Sequence, residues 1–175
     1  YVGLTLATVM ADQGFDVIGV EIREEVLDMF NKGEPHFFEP GLADHLKRLL
    51  KAGNIRCSKN IPDNCKATVY IITVGTPLDS TGKVRLDMIE NVAREVSQHL
   101  KDGDMVILRS TVKLGLTRKF VEPILGKKGV KFDLAFCPER TIEGYALTEL
   151  RQLPQIIGGV TLESSVRAAQ AFQFI

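Results

Sequence analysis

Short apolar runs alternate with amphipathic helical patterns along the whole chain, and this alternation constrains the fold more than any single motif does. The strongest strand signal is 67–74, which is β-branched and apolar throughout. Further strands are predicted at 17–22, 55–58, 104–109, 130–136 and 155–158, with helices at 4–14, 24–31, 42–52, 86–100, 115–125 and 162–174. Strands and helices in this order predict an α/β fold built on a doubly wound parallel sheet.

Composition excludes several classes of protein. The 175 residues suit a single domain. The 22 basic and 22 acidic residues leave no basic excess for nucleic-acid binding, and no apolar run approaches the roughly 20 residues of a membrane span. Cys57, Cys65 and Cys137 are an odd number without metal-ligand spacing, which is typical of reduced thiols. We therefore predict a cytoplasmic protein without nucleic-acid, membrane or metal partners.

The first 21 residues match half of a dinucleotide-binding fingerprint. Gly3 is followed by a helical pattern, a short strand and Glu21, as in the second half of G-x-G-x-x-G and its ribose-binding carboxylate. The earlier glycines and the strand leading into them would precede Tyr1. We therefore expect a Rossmann fold whose first strand is missing from the chain as given. Two questions stay open: Glu21 could instead cap the next helix or lie in its first turn, and Arg23 leaves NAD against NADP undecided.

Three more strands end in residues that could carry chemistry, and ligands of such sheets lie beyond the carboxyl ends of the strands. Thr76 offers a hydroxyl where a cofactor would cross the sheet, although Gly75 and Pro77 are also typical of a plain turn. Thr111 could hold a catalytic water, or, with Ser110, cap the following helix.

The carboxylate that follows the strand at 130–136 is the clearest candidate acid or base. Glu139 could act as a general base or orient a water. Alternatively, it forms a surface pair with Arg140 that contributes little stability. The cysteines are interpreted as small buried groups rather than nucleophiles, because no histidine is placed to activate them.

The irregular stretch 33–41 contains two prolines, two glycines, Phe37 and Phe38. Its composition excludes regular structure, yet two phenylalanines favour burial. We predict a loop that is held by packing and lines a site.

Taken together, five motifs resemble one family in order and spacing. They are Tyr1-Val2-Gly3-Leu4, Glu39-Pro40-Gly41-Leu42, Val74-Gly75-Thr76-Pro77, Ser110-Thr111-Val112 and Cys137-Pro138-Glu139-Arg140. The chain is similar over nearly all its length to the N-terminal NAD-binding domain of the UDP-glucose/GDP-mannose dehydrogenase family. The Cys-Pro-Glu-Arg form and the later Ile156-Ile157-Gly158-Gly159 resemble the branch that acts on UDP-N-acetylmannosamine. Enzymes acting on UDP-glucose or UDP-N-acetylglucosamine are the alternatives.

The resemblance implies an oxidoreductase that oxidises the C6 hydroxyl of a UDP-sugar to a carboxylate, with two hydride transfers to NAD, for polysaccharide precursors. It implies cofactor contacts at Tyr1, Val2, Gly3, Glu21, Thr76 and Thr111. It further implies catalytic roles for Thr111 and Glu139, and substrate contacts at Arg140 and Thr141. A homodimer or higher oligomer of the full-length protein is expected.

The resemblance also implies that residues 1–175 are a fragment comprising the NAD-binding domain alone. The family's cysteine nucleophile, lysine and asparagine lie C-terminal to this domain, together with a central helix and a UDP-sugar domain. None of the three cysteines here matches that nucleophile, so the fragment alone should be inactive. Two departures from the family pattern are Glu21, where aspartate is usual, and Val26, where a basic residue sometimes occurs. A nucleotide-binding module without catalysis is the alternative from another class.

Overall fold

A computed structural model of the chain describes residues 1–82 and 84–175. Its helices are α1 Val2–Asp12, α2 Glu24–Asn31, α3 Leu42–Ala52, α4 Asp87–His99, α5 Glu122–Leu125, α6 Ala146–Gln152 and α7 Leu162–Phe172. Its strands are β1 Val17–Val20, β2 Ile55–Ser58, β3 Val69–Ile72, β4 Met105–Leu108, β5 Asp133–Phe136 and β6 Gly158–Gly159. The predicted α/β class, with mainly parallel pairing, is confirmed.

The chain forms two compact units. Unit 1 comprises Tyr1–Pro62, Arg140–Pro154 and Phe174–Ile175, and unit 2 comprises Asp63–Glu139 and Gln155–Gln173. Each unit therefore contains segments that are distant in sequence. Within the described residues, no helix has both the length and the apolar character needed to cross a membrane.

Unit 1 contains a two-stranded parallel sheet in which β1 pairs with β2, from Val17 opposite Ile55 to Val20 opposite Ser58. Buried side chains of α1, α2, α3 and β2 form its core: Ala11, Phe30, Leu46, Leu49 and Ile55. β1 is only partly buried, although its nearly continuous apolar sequence is typical of a buried parallel strand. In the described part of the chain β2 is its one strand neighbour, which accounts for the exposure.

Three helices of unit 1 meet at the carboxylate of Asp12, near the end of α1. It accepts hydrogen bonds from His45 Nδ1 at 2.6 Å and Arg151 Nη2 at 3.1 Å, and it also pairs with Arg48. His45 and Arg48 belong to α3, and Arg151 belongs to α6. Because the carboxylate is largely buried, this network fixes the three helices around one point.

Unit 2 contains a four-stranded sheet in the order β3-β4-β5-β6. All four residues of β4 are buried, as expected for a central apolar strand, and β3, β4 and β5 run parallel. The last strand differs from the prediction: it lies at Gly158–Gly159 rather than 155–158, and it pairs antiparallel to β5. A Cβ on Gly159 would lie 2.3 Å from the backbone nitrogen of Ser165, so this strand packs closely on the start of α7.

Two helical predictions need correction. The region 115–125 is not one α-helix but a π-helix, Thr117–Val121, followed by α5. Pro123 has no N–H to donate to the preceding turn, so the regular ladder is interrupted there. The helix α6 lies where no helix was predicted from the sequence, and it buries Ala146, Leu147 and Leu150.

Candidate functional site

Glu21 directly follows β1, and its carboxylate is held by Arg23. Arg23 donates from Nε to Oε1 at 3.1 Å, from Nη2 to Oε2 at 3.2 Å, and from its backbone nitrogen to Oε1 at 3.0 Å. Helix α2 begins after its N-cap, Arg23, and its first-turn acids are Glu24 and Glu25. The alternative that Glu21 caps or starts that helix is therefore wrong.

The environment of Glu21 favours its ionised form. Burial raises the pKa of Glu21, but hydrogen bonds from the side chain and backbone of Arg23 outweigh burial and lower the pKa from its ordinary value. His36, from the loop after α2, is close enough to add a smaller lowering. The pKa of His36 itself is lowered, mainly by burial. A partly exposed carboxylate, the guanidinium of Arg23, the imidazole of His36 and the loop at 33–41 thus share one region of unit 1.

The first turn of α1 lies at the same end of unit 1, because the backbone of Tyr1 lies near Glu21 and Arg23. The helix starts after Tyr1 with no side-chain cap and no acid in its first turn. The first N–H groups of a helix have no partner within the helix and attract anions. The backbone of Tyr1, Val2 and Gly3 can therefore receive a phosphate.

The side chain of Tyr1 has a different task. Its hydroxyl donates to Glu39 Oε2 at 2.7 Å, and its ring centroid lies 4.6 Å from that of Phe37. Burial and the bond to Glu39 raise the pKa of the Tyr1 phenol, so it remains protonated. The side chain of Tyr1 therefore anchors the start of α1, while the backbone of Tyr1 is available to a ligand.

Glu39 explains the Glu-Pro-Gly-Leu motif in structural terms. This buried carboxylate also accepts from the backbone nitrogens of Gly144, at 2.8 Å, and Leu147, at 3.4 Å. Gly41 begins α3 with a φ of +80°, a conformation that favours glycine, and Leu42 is fully buried. The motif thus ties the loop after α2 to both Tyr1 and α6.

The loop prediction is half right. Residues 35–39 and 41 of the loop line a surface pocket together with Met29, Ala43 and Asp44. Phe37 packs edge-on against His36 and tilted against Tyr1. Phe38, however, is 81% exposed, so the expectation that both phenylalanines are buried is wrong for Phe38.

The predicted substrate residues Arg140 and Thr141 also belong to unit 1. Arg140 is exposed and donates to the carbonyl oxygen of Pro154 at 2.6 Å, and Thr141 is half-buried. The next residue, Ile142, accepts a hydrogen bond from the Tyr1 hydroxyl at 3.3 Å. The structure therefore brings the Arg140–Ile142 segment to the start of α1.

In unit 2, the predicted residues follow the carboxyl ends of β3, β4 and β5. Thr76 Oγ1 donates to the carbonyl oxygen of Thr111 at 2.9 Å, and Ser110 Oγ donates to that of Val74 at 2.6 Å. These two bonds join the segments after β3 and β4. The capping interpretation of Ser110 and Thr111 is wrong, because the next helical turn does not begin until Thr117. Thr111 is exposed and thus accessible to a ligand.

Glu139 forms an ion pair with Arg109, a residue that sequence reasoning overlooked. The side chain of Glu139 is only 9% exposed, so the interpretation as part of a surface pair is wrong. Arg109 follows the fully buried β4, and its own side chain is completely buried. A charge directly after four buried apolar residues was the available signal, since a buried charge requires a partner.

Of the three cysteines, only Cys137 is buried as predicted, whereas Cys57 and Cys65 are partly buried. Burial raises the pKa of the Cys137 thiol to about 11, and burial also raises the pKa of Cys57. Cys65 is half-buried and accepts a weak hydrogen bond from the backbone nitrogen of Ala67. Among the described residues there is no group of three His, Cys, Asp or Glu side chains that could hold a metal ion.

The residues of unit 1 fit the adenosine diphosphate end of a dinucleotide. An uncapped helix start without acids suits a pyrophosphate, and a carboxylate after the next strand suits a ribose. Arg23 engages both oxygens of Glu21, but a carboxylate offers about four acceptor positions. Arg23 occupies three of these positions, so one remains for a ribose hydroxyl, and a second hydroxyl would displace one bond from the exposed Arg23.

Comparison with known proteins identifies the family. Residues 1–175 match the model of the UDP-glucose/GDP-mannose dehydrogenase family, NAD binding domain. The chain belongs to this family, as its NAD-binding domain. The likeness covers the whole chain, including both units.

Two curated relatives of this NAD-binding domain carry the same name. UDP-N-acetyl-D-mannosamine dehydrogenase of Pyrococcus horikoshii is 34% identical over 99% of the chain, and that of Escherichia coli K12 is 32% identical over 99%. The alignments cover 42% and 43% of those proteins. The chain thus spans less than half the length of the curated relatives it matches.

Solved structures agree with the fold of the NAD-binding domain. UDP-D-ManNAc dehydrogenase of Pyrococcus horikoshii superposes with a TM-score of 0.92 at 34% identity, covering 99% of this chain and 42% of that one. A ternary complex of GDP-mannose dehydrogenase from Pseudomonas aeruginosa gives a TM-score of 0.91 at 27% identity, with 99% and 42% coverage. The shared fold therefore extends across enzymes named for different nucleotide sugars.

Proposed function

We propose that this chain is the cofactor-binding part of an NAD-dependent nucleotide-sugar 6-dehydrogenase. The complete enzyme oxidises the C6 hydroxyl of a UDP-sugar to a carboxylate in two hydride transfers. The substrate we favour is UDP-N-acetylmannosamine, which becomes UDP-N-acetylmannosaminuronate. The observation that carries the proposal is the family match over residues 1–175.

The names of the relatives support the choice of sugar. The curated relatives at 31–35% identity include several UDP-N-acetyl-D-mannosamine dehydrogenases, among them those of Pyrococcus horikoshii and Methanococcus aeolicus. An NDP-N-acetyl-D-galactosaminuronic acid dehydrogenase of Ralstonia nicotianae, at 33% identity, points to a second N-acetylated sugar. UDP-glucose is the next alternative, since a UDP-glucose dehydrogenase of Pyrobaculum islandicum shares the fold at 28% identity.

In this proposal, the backbone of Tyr1, Val2 and Gly3 binds the pyrophosphate, and Glu21 accepts hydrogen bonds from the adenosine ribose. The uncapped first turn of α1 supports the first assignment, and the ionised carboxylate that Arg23 orients supports the second. Thr76 and Thr111, joined by their hydrogen bond, are assigned to the rest of the cofactor.

Bound NAD⁺ would supply the acceptor for the hydride from C6 of the sugar. Thr111 and Glu139 are proposed to hold a water and to assist removal of the hydroxyl proton by general acid–base catalysis. They follow the carboxyl ends of two neighbouring strands, β4 and β5, so both can lie near the same ligand. Arg140 and Thr141 are assigned to the substrate, because a guanidinium suits an anionic nucleotide sugar. The nucleophile required between the two oxidations is assigned to the rest of the enzyme.

An assay of the full-length protein tests the activity. Each of UDP-N-acetylmannosamine, UDP-N-acetylglucosamine, UDP-N-acetylgalactosamine and UDP-glucose is incubated with NAD⁺, and NADH formation is followed by absorbance. We expect two NADH per UDP-N-acetylmannosamine consumed. If none of these sugars gives NADH, the proposed dehydrogenase activity would be contradicted and a nucleotide-binding module without catalysis would be favoured.

Replacing Glu21 tests the cofactor site separately. Glu21→Ala should weaken NAD⁺ binding by about 1–3 kcal/mol, since hydrogen bonds to a charged group are lost. Calorimetric titration of the full-length protein measures the effect. Glu24→Ala is the matched control, because this nearby exposed acid pairs with Lys59 and should leave the affinity unchanged. Equal affinities for wild type and Glu21→Ala would remove Glu21 from the ribose.

The location and assembly of the whole protein are part of the proposal. We assign it to the cytoplasm, as a homodimer or higher oligomer. Light scattering on the full-length protein, after size-exclusion chromatography, measures the assembly. A monomer would contradict this assignment.

A further inference from the structure

Arg109 is among the largest fully buried side chains of the chain. Its guanidinium pairs with Glu139 Oε2, donates from Nη1 to Gln155 Oε1 at 3.1 Å, and lies 4.9 Å from the ring centroid of Phe172. All four residues belong to unit 2. The arginine therefore joins the ends of β4 and β5 to Gln155 and to α7.

Stability alone does not account for this arrangement. A buried ion pair is often replaceable by apolar side chains without loss of stability, because desolvation offsets the attraction. In addition, Arg109 Nε is buried with no hydrogen-bond partner among the described residues, which is a cost. What the pair does provide is a fixed direction for the Glu139 carboxylate.

Both the backbone and the side chain of Arg109 hold Glu139. The backbone nitrogen of Glu139 lies 3.4 Å from the carbonyl oxygen of Arg109, and the backbone nitrogen of Arg109 donates to Ile72 at 2.9 Å. Arg109 is itself held from one side by Gln155 and from another by Phe172. The position of Glu139 Oε2 therefore depends on a side chain that has little freedom to move.

A second arginine–carboxylate pair stands at the other end of β5. Arg167 of α7 pairs with Asp133, the first residue of β5, and donates to the carbonyl oxygen of Gly103 at 2.7 Å. This pair has the same chemistry and uses the same strand, but Arg167 is 32% exposed. It lies at the amino end of β5, whereas ligands of parallel sheets lie beyond the carboxyl ends. The two pairs differ in burial and in the end of the strand that they occupy.

We infer that Arg109 is a positioning residue for Glu139, which it holds in the orientation that proton removal from the sugar hydroxyl requires. The inference rests on the proposed function, because it takes the catalytic role of Glu139 from there. Arg109 acts through the carboxylate and is not itself assigned a contact with substrate or cofactor.

The test uses the full-length enzyme with Arg109→Met, Glu139→Gln, the double variant, Arg109→Lys and the control Arg167→Met. For each we would measure kcat and KM for NADH formation, the affinity for NAD⁺ and the thermal midpoint. We expect Arg109→Met to lower kcat by up to about 100-fold, since misplacing a reacting group can cost that much. KM and NAD⁺ affinity should stay unchanged, and so should kcat of Arg167→Met.

The double variant distinguishes positioning from an independent role. Residues that act as a unit have non-additive effects, so Arg109→Met should lower kcat no further once Glu139 is already glutamine. The double variant also removes the negative charge of Glu139, which Arg109→Met alone would leave in place without the guanidinium. Arg109→Lys keeps a cation but loses the guanidinium fork, and it should recover only part of kcat.

Three outcomes would overturn the inference. One is a full additional loss in the double variant, and another is an equal loss of kcat in Arg109→Met and Arg167→Met. The third is wild-type kcat in Arg109→Met or Arg109→Lys while Glu139→Gln is impaired. By contrast, wild-type kcat in Glu139→Gln would overturn the role of Glu139, and an inactive wild type would overturn the proposed function itself.

Discussion

The two units each place a glutamate after a parallel strand and pair it with an arginine, but they do so in opposite environments. In unit 1, Glu21 is 25% exposed and Arg23 is 53% exposed. In unit 2, Glu139 is 9% exposed and Arg109 is completely buried. The first pair is two residues apart in sequence, whereas the second joins residues 30 positions apart.

This difference suits two kinds of task. A carboxylate that meets an incoming ribose must remain reachable and must adjust its hydrogen bonds, and a local, exposed arginine permits both. A carboxylate that takes part in proton removal must keep one orientation, which a buried arginine imposes. An exposed arginine–glutamate pair is therefore suited to binding a ligand group, and a buried pair is suited to holding a reacting carboxylate in one orientation.

The largest expected effect comes from breaking the buried pair. Arg109→Met should lower the free energy of unfolding by about 3–5 kcal/mol, because it removes the buried cation that pairs with the Glu139 carboxylate. Arg23→Met should change it by only about 0–1 kcal/mol, as is usual for exposed pairs. Urea denaturation of the full-length variants measures both. Similar losses in the two variants would remove the contrast between the units.

A smaller effect is expected at Glu39, a buried carboxylate whose partners are a hydroxyl and two backbone amides. Glu39→Ala should lower the free energy of unfolding by about 1–3 kcal/mol, since buried donors lose their acceptor. Tyr1→Phe removes one of those donors and should cost about 0.5–1.5 kcal/mol. Urea denaturation curves of both variants measure the two changes in the free energy of unfolding. A larger decrease in Tyr1→Phe than in Glu39→Ala would contradict this account.

The smallest effect concerns the pH dependence of the exposed pair. The pKa of Glu21 is lowered from its ordinary value of 4.5, so its ionised form stabilises the folded state above that pH. The contribution should disappear as the pH falls below 4.5 and the carboxylate becomes protonated. Thermal midpoints of wild type and Arg23→Met should therefore converge in acid, and salt should reduce their difference at neutral pH. A difference that persists in acid would contradict the role of this pair.

Local patterns were enough to predict much of the fold. Helices α2 and α3 have the predicted bounds, because the apolar spacing and the glycine that follows each helix are visible in the sequence. β4 was recognisable from four consecutive apolar residues. Helix α6 was not, since it is short and follows an irregular segment, and its amino end is stabilised by the distant Glu39.

The candidate site divides in the same way. Glu21, Thr76, Thr111 and Glu139 could be picked out because each follows a strand. Arg109 could not be assigned a partner, because only the register of β4 beside β5 brings it to Glu139. The orientation of Tyr1 depends likewise on Glu39, which is 38 positions away in sequence. The sequence thus predicts which residues follow a strand, whereas the structure is needed to show which distant residues pair.

The hydrogen bonds of Glu39 also bear on the order in which the chain can fold. Its amide partners lie 105 and 108 positions later in the sequence. A ribosome must therefore complete the whole of Asp63–Glu139 before these bonds can form. Closing so long a loop carries an entropic cost that local helices do not incur. During synthesis, the carboxylate of Glu39 therefore has only water and Tyr1 as hydrogen-bond partners until Gly144 and Leu147 have been added.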